Sequence, residues 1–185
     1  MEFTASLKAI AEQIINLSSR LAKHVHTWNE EKSAPASGFT DRAGFIIYDD
    51  PELDIELYAD VYANEDGTKS LLRARLAKSP NDDNDQNVFT IVTLDFAADL
   101  EKTRQLISNS GAITQQALVS LLNEQSTTPK YIQVSLESRQ APGSDPAGKR
   151  YEYDAEEINA LNEADQAEFL DTLTNAFRLI TERIR

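Results

Sequence analysis

The chain predicts an α+β domain, an antiparallel β-meander sheet of five to six strands packed against N- and C-terminal helices. Three observations carry this. Apolar residues recur at three- and four-residue spacing over residues 3–28 and 155–184, near the two ends of the chain, which is the period of a helix with one buried face. Leu53, Ile55, Leu57, Ala59, Val61 and Ala63 alternate with Asp54, Glu56, Tyr58, Asp60 and Tyr62, the period of a strand with one face buried. A second strand-like segment follows across Asn64-Glu65-Asp66-Gly67, which suits a four-residue hairpin loop.

The first helix is expected over residues 3–28, where Phe3, Leu7, Ile10, Ile14, Leu17, Leu21, His24 and Trp28 keep strict 4-3-4-3 spacing. A stripe held for that long matches a seam for another helix. The segment from Glu30 to Gly38, with Pro35 in it, reads as a loop. Residues 41–48 form the first strand, around Phe45, Ile46 and Ile47, and Asp49-Asp50-Pro51 turns the chain.

The register of the next two strands follows by arithmetic. Placing Ala63 opposite Thr68 sets Ala59 against Leu72, Leu57 against Ala74 and Ile55 against Leu76. On the other face it sets Glu56 against Arg75, Tyr58 against Arg73 and Tyr62 against Lys69, while Asp60 against Leu71 and Val61 against Ser70 fit less well. A one-residue slip destroys both patterns. Pro80 and the Asn81–Asp85 run mark a loop, and Val88–Phe96, apolar on both faces, reads as a central strand of the sheet 41–96. Helices follow over 99–124, broken at Ser110-Gly111, and then strands over 130–153 with a loop at Gln140–Lys149. Asp154 and Glu157 have capping-box spacing at the start of the C-terminal helix, 155–184, which breaks near Asn162. Leu170, Leu173, Phe177, Ile180 and Ile184 stripe that helix.

With 185 residues the expectation is one domain, 1–185. There is no cysteine, which removes disulfides and every thiolate metal site. The first apolar residues are interrupted by Lys8 and Glu12 rather than forming a solid block, and this predicts a cytoplasmic chain. The net charge of −13 opposes non-specific binding to nucleic acid or anionic lipid and favours basic partners. The charge is blocked: Asp49–Asp66 and Glu152–Asp171 each hold eight acids and no Lys or Arg. Such blocks are solvated faces or interaction surfaces.

Catalytic signatures are missing. No Gly-x-Ser-x-Gly elbow and no phosphate-binding glycine loop occurs. His24 and His26, two residues apart, point about 200° apart on a helix and do not share a metal. The Asn81–Asp85 loop lacks the central glycine of an EF-hand and has Val92 at its twelfth position. No metal or cofactor is therefore expected, and no pair among the 31 acids stands out as a catalytic dyad.

The polar face of the two central strands carries Tyr58, Tyr62, Arg73 and Arg75, residue types favoured in binding hot spots. The same four also suit an ordinary polar sheet face with cross-strand pairs. Trp28, the single tryptophan, closes the first stripe and is the fifth candidate binding residue. The sequence therefore leads to a non-catalytic, protein-binding adaptor or chaperone-like protein that uses an acidic surface and its sheet face. Its element order resembles that of secretion-chaperone-like folds in layout only. Two other readings remain: a small-ligand module or enzyme with carboxylate acid and base, and an acidic mimic of nucleic acid. A homodimer through the terminal helices is a further expectation.

Overall fold

The computed structural model describes residues 2–22, 25–28, 39–50, 55–64, 70–78, 88–124, 129–138, 144, 145 and 147–182. Helix α1 (Glu2–Leu21) is followed by strands β1 (Val25–Trp28), β2 (Phe39–Asp50), β3 (Ile55–Asn64), β4 (Ser70–Lys78) and β5 (Val88–Ala97). Helices α2 (Leu100–Ser108) and α3 (Gln115–Glu124), joined by a short 3-10 turn, lead to β6 (Tyr131–Ser138) and β7 (Ala147–Asp154). Helices α4 (Ala155–Ala160) and α5 (Glu163–Thr181) complete the described chain. The strands form one antiparallel sheet in sequence order, β1 to β7.

The predicted α+β meander with terminal helices is what forms. The sheet extends one strand past the five or six read from the sequence, because residues 25–28 pair with β2, Val25 opposite Phe45 and Trp28 opposite Arg42. The expected helix to Trp28 therefore stops at Leu21. Val25 and Thr27 are β-branched, and the backbone bonds of a sheet edge outweigh a continued apolar spacing. The buried face of α1 also differs from the narrow seam. Leu7, Ala11, Ile14, Ile15 and Ser18 are fully buried, while Ile10, Leu17 and Leu21 flank them. The small Ala11 and Ser18 let the helix sit close on the sheet, and Ser18 returns its hydroxyl to Ile14 O at 2.6 Å.

One core lies between the sheet and the helices. It joins Leu57, Val61, Leu72, Leu76, Val92, Phe96 and Val134 of the sheet to Leu7 and Ile14 of α1, Leu118 and Leu122 of α3, and Phe169 and Leu173 of α5. Within the chain the first stripe buries Phe3, Leu7 and Ile14 and the last buries Leu173 and Ile180, while Ile10, Leu17, Leu21, Leu170 and Phe177 are partly buried. β5 is central, as its composition requires. Asp154 caps α4 in a full capping box with Glu157, and Asn162 caps α5 at the predicted break. β7 begins at Ala147, inside the expected loop. Gly148 permits this, since its φ is +150° and a Cβ there would lie 2.4 Å from Leu136 O.

The β3–β4 register differs from the expected one by two residues. Ala63 pairs with Ser70, Ala59 with Ala74, Tyr58 with Arg75 and Asp60 with Arg73. A shift of two preserves the face of every side chain, so the apolar and polar sets are as predicted and only the partners change. The loops at 29–38, 65–69 and 79–87, with the Asn81–Asp85 run, lie outside the described residues, as do His24 and residues 183–185.

Candidate functional site

The sheet face turned away from the core carries a chain of ion pairs. It begins at Gly44, opposite Asp60 in the β2–β3 ladder. A Cβ on Gly44 would stand 2.3 Å from Ala59 O and from Asp60 Cβ, so glycine alone lets the strands close here. Diagonally across this gap Arg42 Nε donates to Asp60 Oδ2 at 2.8 Å, and Arg42 Nη2 donates to the same oxygen. The guanidinium lies 4.8 Å from the Tyr62 ring centre and 5.4 Å from that of Tyr58, in cation–π range.

The pairing continues strand by strand. Arg73 is directly opposite Asp95 and grips it with two 2.7 Å bonds, the forked geometry that suits guanidinium and carboxylate. Arg75 donates to Glu56 Oε1 at 2.9 Å and to Thr93 Oγ1 at 2.7 Å. Farther along, Tyr131 donates its hydroxyl to Glu152 Oε1 at 2.6 Å.

This network is enclosed. Asp60 is 0 % exposed, Tyr62 1 % and Tyr58 7 %. Burial pushes the Asp60 carboxyl up to about 6, against the pull of Arg42 and the hydrogen bond of Tyr62. Burial likewise raises Tyr58 to about 12, and it raises Tyr62 as well. For Asp95, burial also raises the carboxyl, and Arg73 opposes it. Asp60 Oδ1 is buried without a hydrogen-bond partner among the described residues.

Four of the five residues singled out from the sequence, Tyr58, Tyr62, Arg73 and Arg75, are therefore brought together. They are buried or part-buried and engaged with acids of the same sheet, not spread on a wet face. The backbone of Trp28 lies opposite Arg42; its side chain is outside the described residues. Arg42, Asp60 and Asp95 were missed. The poor fit of Asp60 against Leu71 was the available signal, because the two-residue shift that removes it gives Asp60 the partner Arg73.

Of the two acidic blocks, the first has two of its eight acid side chains among the described residues and the second has all eight. In the first, Glu56 and Asp60 turn onto arginines. In the second, Glu152, Asp154, Glu156, Glu157, Glu163, Asp165, Glu168 and Asp171 are all exposed. Tyr151, just before this block, and Tyr153, at its start, stack at 6.4 Å between ring centres, and each leans on Phe169. A hydrogen bond with Glu168 raises the Tyr151 hydroxyl to about 12. Burial and then Asp165, Glu168 and Glu157 raise Tyr153.

Grooves open in the helical layer among the described residues. One of roughly 660 Å³ runs between α2 and α3, lined by Leu106, Asn109, Ala117 and Leu121 among others, with Lys102 and Glu124 bridged at 2.6 Å. Neither Asp60 nor Asp95 lines it. Another, roughly 360 Å³, lies between α1 and α5. Among the described residues no three His, Asp or Glu side chains converge to hold a metal ion, and no helix is long and apolar enough to cross a membrane.

No protein-family model, curated protein or solved structure matches this chain.

Proposed function

We propose that the chain is a non-catalytic protein-binding module, an adaptor or chaperone-like protein, whose surface over β7, α4 and α5 receives a basic segment of a partner protein. One observation carries this reading. Eight exposed acids and no Lys or Arg occur between Glu152 and Asp171, and three of them, Glu157, Asp165 and Glu168, lie close to a stacked pair of tyrosines. The carboxylates attract cationic side chains, and tyrosine faces hold them by cation–π contact. The polar sheet face plays a different part, because its arginines are committed to acids within the sheet. It fixes the scaffold on which the acidic surface is carried.

The test is a comparison of two immobilised baits, the wild-type chain and Glu163→Lys/Asp165→Lys/Glu168→Lys, exposed to the same native lysate. A partner held by the wild type, lost from the variant and eluted by moderate salt supports the reading. Equal capture by both baits refutes it. Competition by duplex DNA for the same partner would mark the surface as a mimic of nucleic acid instead.

The groove between α2 and α3 favours a second reading, a small-ligand site, since its volume falls within the range such sites occupy. The buried, high-pKa carboxyls that acid–base chemistry uses are elsewhere in the sheet, so this reading is one of binding and not catalysis.

A further inference from the structure

Among the described strands β7 is the longer of the two margins of the sheet. It hydrogen-bonds only to β6 among the described strands, and six of its eight residues are exposed. A strand in that position presents a row of unpaired N–H and C=O groups, which a second strand satisfies. Proteins usually blunt such an edge with scattered charges. Here the charges are divided by sign: Lys149 and Arg150 occupy the first half of the strand, Glu152 and Asp154 the second.

That division has a symmetry consequence. A two-fold axis perpendicular to a sheet edge sets a strand antiparallel to its own copy, and residues keep their faces only when their numbers sum to an even value. Centred on Arg150, the pairing sets arginine against arginine. Centred on Glu152, it sets glutamate against glutamate. Centred on Tyr151, it sets Arg150 against Glu152 twice and Lys149 beside the ring of Tyr153 twice. Glu152 is already oriented by the Tyr131 hydroxyl on Oε1. Its Oε2 has Arg150 of its own strand no nearer than 3.8 Å, and the two side chains are 62 % and 48 % exposed.

We propose that β7 pairs with β7 of a second copy of this chain, antiparallel and centred on Tyr151, joining the two sheets edge to edge through reciprocal Arg150–Glu152 pairs. The inference does not depend on the acidic surface having a foreign partner.

Light scattering and sedimentation on the full chain, over a dilution series, test it. The wild type is expected at twice the chain mass. Arg150→Glu places four carboxylates at the junction and Glu152→Arg four guanidiniums, so each variant alone is expected at the mass of one chain. Mixed together, the two variants regain opposite charges at both contacts and are expected to form a heterodimer of twice that mass. Circular dichroism of each variant checks that the fold is kept, and mixing rescues only chains that are folded. A wild type that stays single at every concentration overturns the proposal. So does a dimer indifferent to both substitutions, which would use another surface, or a mixture that fails to reassociate.

Discussion

Removing Arg42 should unfold much of the protein's margin of stability, and should do so in a pH-dependent way. Asp60 is fully buried and Arg42 nearly so, at 0 % and 6 % side-chain exposure. Taking one partner from a buried pair leaves an uncompensated charge and costs about 3–5 kcal/mol, a large part of the roughly 5–15 kcal/mol that holds a domain together. For Arg42→Met, a slope of about 2 kcal/mol per molar turns a loss of about 4 kcal/mol into a fall of about 2 M in the urea midpoint near neutral pH. The sign of the pH effect follows from Asp60, whose carboxyl stands at about 6 in the fold against 3.8 as its ordinary value. A raised carboxyl gives stability that is fully present below the ordinary value and is lost as pH rises through the folded value. Arg42, held against the Tyr58 and Tyr62 rings, now lowers that carboxyl, with the Tyr62 hydrogen bond and Arg73 helping. Without Arg42 it climbs further, so the variant's deficit should shrink when the titration is repeated at about pH 5. Arg42→Met/Asp60→Leu, which leaves no buried charge from this pair, should recover most of the loss at neutral pH. A deficit below about 1 kcal/mol, or one equal at both pH values, would refute the account of this pair as a buried and mutually dependent unit.

Two smaller perturbations test neighbouring parts. Gly44→Ala should cost about 1–3 kcal/mol in thermal or urea unfolding, because its Cβ meets backbone and Asp60 and one strand must move; an unchanged midpoint would mean the β2–β3 ladder has slack. Asp154→Ala removes the side chain that accepts from Glu157 N at 2.9 Å and should cost about 1 kcal/mol, while Asp154→Ser should retain most of it. With the bait comparison and the charge-reversal mixture above, these measurements address the scaffold and its surfaces separately.

The elements most legible in the sequence were those with strict periodicity. The alternation from Ile55 to Ala63, the apolar Val88–Phe96, the Asp154/Glu157 capping box and the break at Asn162 all have local physical causes. The end of α1 was not legible, because Leu21, His24 and Trp28 keep the helical spacing by coincidence, and the tie that makes residues 25–28 a strand comes from β2, fourteen or more residues away. The register of β3 on β4 was half legible for a related reason. Parity is written in each strand, but the offset depends on a connection whose length is decided elsewhere. At the candidate site, tyrosine and arginine identity pointed to the right sheet face. That the face is enclosed depends on Asp60 and Asp95 meeting Arg42 and Arg73, which only the assembled ladder reveals.

Strand order that follows chain order has a bearing on biosynthesis. Each hairpin of the meander can zip as it leaves the ribosome, but Phe169, Leu173, Ala176 and Ile180, which roof β5 and β6, are made after every strand is complete. Throughout that interval Val92, Leu94, Ile132 and Val134 face water. A nascent chain stalled before residue 163 would be a sticky, half-roofed sheet, so the speed with which α5 is delivered and docks should govern how much of this protein reaches its native state.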